Sequence, residues 1–144
     1  MSRDFQRSKL YKWERAVVAP RTNKIVKFDD AQTFIDGVWM SLGLIGAPRV
    51  ELMSLRNKKA DAAADRVNIY LKGDTPAWIV IHEIAHSLNR QKTRGSWIYD
   101  GAEDCDGHGP KFVGEYIRLL DRVLGIPLCL TQYSLGVHGV KYDT

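Results

Sequence analysis

The chain has 144 residues, 44% of them hydrophobic and 26% charged, which fits a single folded domain and excludes a disordered or low-complexity protein. No apolar run approaches the roughly 20 residues of a membrane span, and no hydrophobic segment follows the charges of the N-terminus, so we expect a cytoplasmic protein without membrane contact. The net charge of +4 is uneven: residues 1–27 carry +6 and the remainder −2.

The basic N-terminal segment interleaves Phe5, Tyr11 and Trp13 with Arg and Lys, a pattern that could contact nucleic acid phosphates and bases. The plainer reading, which we favour, is a solvated strand-and-loop surface whose aromatics face the core. Residues 10–18 read as a first strand, or as a short helix running into one, and Pro20 to Lys24 as a turn. Asp29 or Asp30 is then expected to cap a helix through Leu42, with Phe34, Ile35, Val38, Trp39 and Leu42 as its buried stripe and Gly43 as its terminator. Alternation at Val50, Leu52 and Ser54 predicts a strand from Arg49 to Leu55. Arg56 to Asp65 is a polar, Ala-rich loop or wide hairpin. Arg66 to Lys72 alternates again and predicts a second strand with Val67, Ile69 and Leu71 on one face.

Asp74 to Asn89 predicts the central helix, with Thr75 as N-cap, Pro76 at the first helical position, and Ala77, Ile81, Ile84, Ala85 and Leu88 as an apolar stripe. Arg90 to Gly107 is a long polar connection with an aromatic cluster at Trp97, Ile98 and Tyr99 that could line or cover a cleft. A last clear helix runs from His108-Gly109-Pro110 to Leu124, striped by Phe112, Tyr116, Leu120 and Leu124 and stopped by Gly125 and Pro127. The apolar tail, Leu128 to Thr144, should pack back on the domain.

The central helix contains His82-Glu83-Ile84-Ala85-His86. Residues four apart share a helix face, so both imidazoles can reach one ion, while Glu83, turned by about 100°, can flank that ion without ligating it. This is the H-E-x-x-H pattern of zinc hydrolases: two nitrogen ligands and a general base. Such sites take a third protein ligand. His108 is the leading candidate, since Gly107 and Gly109 permit close backbone approach and Glu103, Asp104 or Asp106 could orient its ring. Asp100, Glu103 and Asp104 are alternative ligands, and His138 is a weaker one that could instead contact substrate. The two cysteines, Cys105 and Cys129, make no Cys-x-x-Cys pair and indicate a reducing compartment. Cys105 reads as inert or supporting, and Cys129 as buried.

The helix motif followed by Asp106-Gly107-His108-Gly109-Pro110-Lys111-Phe112 resembles the SprT-like zincin metallopeptidases, the group that includes the DNA-dependent protease Spartan. The opening from Arg3 to Tyr11 is also similar to that of a set of small metallohydrolases from actinobacteria and their phages. The first resemblance covers residues 74–124, about a third of the chain. It implies an α+β fold of minimal zincin type, a small sheet packed on the motif helix with a further helix behind. It implies zinc held by His82, His86 and His108, with Glu83 as general base for attack of activated water on a protein or peptide substrate. The loop between the motifs is longer than in Spartan, and no zinc ribbon follows the last helix, so peptidase chemistry is expected more strongly than DNA dependence. An extended peptide could add to a sheet edge at 49–55 or 66–72, and Tyr99, Tyr133 or His138 could stabilise the oxyanion. Two other classes compete: a metal-dependent nuclease, for which Glu83 would be dispensable, and a non-catalytic module stabilised by zinc.

Overall fold

Arg7–Trp13 forms helix α1, which continues without a break into a π-helical turn, Glu14–Val18, and a 3-10 turn, Ala19–Arg21. In the computed structural model, which describes residues 6–54, 61–92 and 107–143, this N-terminal segment is therefore helical where a strand was the leading expectation. Aromatic and β-branched residues favour strands locally, but Leu10, Trp13 and Val17 recur at helical spacing, and burial of that stripe decides the outcome. The opposite face is basic and exposed, with Arg7, Lys9, Lys12 and Arg15. Trp13 is fully buried and donates its indole N–H to Ser134 Oγ at 2.9 Å. Phe5 lies outside the described residues. The plainer reading of this segment is right that its aromatics turn inward and wrong about its secondary structure.

Helix α2 spans Phe28–Ser41. Asp29 and Asp30 occupy its first turn, where negative charge suits the helix dipole, but the capping acceptor is distant: Asp74 Oδ1 takes the Phe28 N–H at 2.9 Å. The helix ends as expected, with Gly43 in the left-handed region at φ +77°. Thr75 is likewise not an N-cap. Thr75–Pro76 forms the short strand β5, paired antiparallel with β1 (Ile25–Val26), and the Thr75 hydroxyl donates back to the Gly73 carbonyl. The motif helix α3 accordingly begins one residue later and runs Ala77–Lys92.

The larger sheet has the order β2-β4-β3. Strand β2 (Arg49–Leu52) is parallel to β4 (Asn68–Leu71), and β3 (Ala62–Ala64) pairs antiparallel with β4. Both predicted strands exist but are shorter than expected, and part of the 56–65 connection is the strand β3. Ile69 and Leu71 are buried as predicted. Val67 is not, at 57% exposed, because Asp65 Oδ1 captures its N–H and holds it in the turn ahead of the pleat. The central position of β4 also removes residues 66–72 as an edge for an added peptide; the edges are β2 and β3.

Hydrogen bonds tie this sheet and its turn to the motif helix: Ser87 Oγ donates to the Asp65 carbonyl at 2.6 Å, and Arg90 donates to the Ala64 carbonyl at 3.2 Å. On its other side α3 packs against α4, Pro110–Leu124. Ala77, Val80, Ile81, Ile84, Ala85 and Leu88 of α3 meet a core shared with Phe112, Val113, Tyr116, Ile117 and Leu120 of α4. The apolar tail does pack back, as helix α5, Leu128–Val137, through Leu135 and then Val140. Its approach explains Gly114: a Cβ there would stand 2.5 Å from the Asp143 carbonyl oxygen. Cys129, expected to be buried, is exposed, because α5 turns Thr131 and Leu135 inward and Cys129 lies off that stripe. The architecture is α+β, as the sequence predicts.

Candidate metal centre

His82 and His86 project from one face of α3, one turn apart, and His108 enters from the residues just ahead of α4. Their ring nitrogens converge. His108 Nε2 lies 3.2 Å from His82 Nε2 and 3.1 Å from His86 Nε2, and all three ligand atoms fall within 4.8 Å of one another. A tetrahedral ion with metal–nitrogen bonds of about 2.0–2.1 Å would hold its ligands about 3.3–3.4 Å apart, so the spacing fits one ion.

The protonation pattern points the same way. Glu14 Oε2 accepts a hydrogen bond from His82 Nδ1, and a carboxylate accepts only from a protonated nitrogen. The His82 proton is thus on Nδ1, and in the neutral ring Nε2 presents a lone pair to the centre. His108 Nε2 faces two nitrogens and, with at most one proton, cannot satisfy both contacts by hydrogen bonding. A cation satisfies all three. Burial holds the His86 pKa well below the ordinary imidazole value, and His82, His108 and Arg90 act in the same direction, so His86 is neutral and able to ligate.

Aromatic rings fix the imidazoles from below. His86 stacks on Phe112 with centroids 4.1 Å apart and a 19° interplanar angle, and His82 lies 5.0 Å from the same ring. Phe112 is thus more than the core residue its helical spacing suggests. Tyr116, one turn on, donates its hydroxyl to Glu14 Oε2 at 2.7 Å. Burial raises the Tyr116 pKa well above the ordinary phenol value, reinforced by Glu14, which keeps the proton available for that bond.

Glu83 follows His82 on α3 and is 7% exposed. Burial pushes its carboxyl up to about 7, and the Glu14 charge adds to the rise.

Three residues of this site come from the N-terminal helix, and sequence reasoning missed them in that role. Glu14 orients His82. Tyr11 is half-buried with its ring edge-on to His108, centroids 5.2 Å apart. Gln6 donates to the His108 carbonyl at 2.8 Å and the Lys141 carbonyl at 3.0 Å, and accepts the Lys141 N–H at 2.9 Å, so it clips the third histidine to the C-terminal tail. One signal pointed to Glu14: it is one of two acids in a strongly basic stretch, and it lies beside a tryptophan. The π-helical turn that begins at Glu14 is a second mark, since such turns recur at functional sites.

Of the other predicted residues, Tyr133 is 76% exposed on α5 and His138 is half-buried just beyond it, and neither belongs to the histidine cluster. Tyr99, Asp100, Glu103, Asp104, Cys105, Asp106 and the aromatic cluster at 97–99 lie outside the described residues. No protein-family model, no curated protein and no solved structure matches this chain. Fold and site define an α+β protein whose three histidines are close enough to hold one metal ion.

Proposed function

We propose that the protein is a metal-dependent hydrolase, a zinc peptidase in the first instance. The observation that carries this reading is the convergence of His82, His86 and His108 on one point, with Glu83 buried next to His82 on the same helix. Neutral imidazoles on a closed aromatic floor suit zinc, and three protein ligands leave a position open for chemistry. A bound zinc ion acidifies water and polarises a carbonyl.

The chain's own groups supply the rest. Glu83 takes the proton of the attacking water and delivers it to the leaving amine as the C–N bond breaks. Glu14, held by Tyr116, keeps His82 in the tautomer that ligates. Phe112 excludes water from beneath the histidines. An extended peptide would add to an outer strand of the sheet, β2 or β3. The exposed basic face of α1 suits an anionic partner, but Trp13 is buried in the fold and Tyr11 turns toward the histidines, so neither is placed on that basic face to stack on bases, which favours protein over nucleic acid as the substrate.

The test is cleavage of casein by zinc-loaded wild type and Glu83→Gln, with metal content measured in both. The expected result is equal zinc and loss of turnover in the variant. Cleavage of RNA or DNA that survives Glu83→Gln would replace this reading with a nuclease.

A further inference from the structure

We propose that Tyr11 is the hydrogen-bond donor of the site, the residue whose hydroxyl stabilises the oxygen that becomes negative during hydrolysis. This deepens the reading above and rests on it. Tyr11 Oη lies 3.5 Å from His108 Nε2, the nitrogen on which the histidine contacts converge. Its ring is edge-on to His108 and 6.2 Å from the His82 ring. The phenol head therefore stands beside the ligand cluster rather than behind it.

Two other polar aromatics near the centre, among the described residues, are buried within the fold. Trp13 donates to Ser134, and Tyr116 donates to Glu14. Tyr11 is half-buried, and its hydroxyl stands at the His108 nitrogen that meets the other two histidines. Its ring is steadied by the Arg7 guanidinium, 5.8 Å from the centroid. A phenol is suited to the role because it donates one hydrogen bond without carrying charge. As water adds to the scissile carbonyl, the C=O electron pair moves onto oxygen, Glu83 takes the water proton, and the Tyr11 O–H shortens its bond to that oxygen. When the tetrahedral species collapses, the C–N bond breaks, the Glu83 proton passes to nitrogen, and Tyr11 keeps its own proton throughout. Tyr11 thus takes the place for which Tyr133 and His138 were considered, neither of which belongs to the histidine cluster, while Tyr99 lies outside the described residues.

The experiment compares wild type with Tyr11→Phe, which preserves the ring and its packing, and uses the equally conservative Tyr133→Phe as control. Cobalt-loaded samples of equal metal content are titrated with sodium azide and followed by visible absorption. Loss of a hydrogen bond to an anion should weaken azide roughly ten- to hundredfold in Tyr11→Phe and leave Tyr133→Phe unchanged. On casein, zinc-loaded Tyr11→Phe should lose about a hundred- to thousandfold in kcat with KM little changed. Equal azide affinity in wild type and Tyr11→Phe would overturn the assignment. So would a variant whose kcat matches wild type. If azide weakens as expected but wild type cuts no protein, the peptidase reading fails, while Tyr11 stands as the donor to anions at this centre.

Discussion

Two of the helices that build the centre, α3 and the N-terminal one, differ in how they do it. Helix α3 contributes by local geometry: His82, Glu83 and His86 are placed by the pitch of one helix, whatever the rest of the chain does. The N-terminal helix contributes by long-range packing. Its Glu14 meets His82 across 68 positions and Tyr116 across 102, and its Gln6 meets His108 across 102. The first kind of contribution gives a site its chemistry. The second fixes the tautomer and position of the groups that perform it. A motif without its braces would bind metal more weakly and hold it less uniformly.

Mutations at the two helices should separate these roles. The largest effect is expected at the ligands: His108→Ala should lose most bound zinc after dialysis, measured by atomic emission, because two histidines cannot hold the ion against solvent. Next is Glu14→Ala, which leaves His82 Nδ1 and the Tyr116 hydroxyl without their shared acceptor in a buried setting. Zinc affinity should fall about ten- to hundredfold in a chelator competition. Glu14→Gln, which keeps an acceptor oxygen, should recover part of it. An unchanged affinity in Glu14→Ala would break the proposed division between the helices.

Gln6→Ala should act more mildly. It removes three hydrogen bonds that join the N-terminal helix, His108 and Lys141. A loss of about 1–3 kcal/mol in urea unfolding is expected, with a smaller drop in zinc affinity than for Glu14→Ala. The smallest effect belongs to the turn ahead of β4. Burial raises the Asp65 pKa, but hydrogen bonds from the Val67 and Asn68 N–H groups and the Tyr70 hydroxyl outweigh it and bring it below the ordinary 3.8. A carboxyl with a depressed folded-state pKa stabilises the fold above its ordinary pKa and loses that contribution as pH falls through the folded value. Asp65→Asn should therefore lower stability at pH 7 and converge with wild type as pH falls through the depressed folded-state pKa, as followed by urea melts across the acid range.

The contrast between the helices also explains what could be read in advance. Helices α2, α3 and α4 were legible because apolar residues recur at helical spacing. The convergence of the histidines was legible because H-E-x-x-H needs nothing beyond one helix, and His108 because its glycine-flanked setting resembles a known pattern. The N-terminal segment was misread because its aromatic and β-branched residues carry a local strand preference that burial against α3, α4 and α5 overrides. Glu14 was missed for the same reason: its importance lies in partners far along the chain. Helix caps failed similarly. Asp29, Asp30 and Thr75 are good local candidates, yet Asp74 from another part of the chain caps α2, and pairing with β1 takes Thr75 into a strand.

The most direct test of the account is the zinc K-edge absorption spectrum of the zinc-loaded protein. Three imidazole nitrogens at about 2.0 Å, with one further light-atom ligand, are predicted. A sulfur-containing shell, or fewer than three imidazoles, would contradict the three-histidine centre and the chemistry built on it.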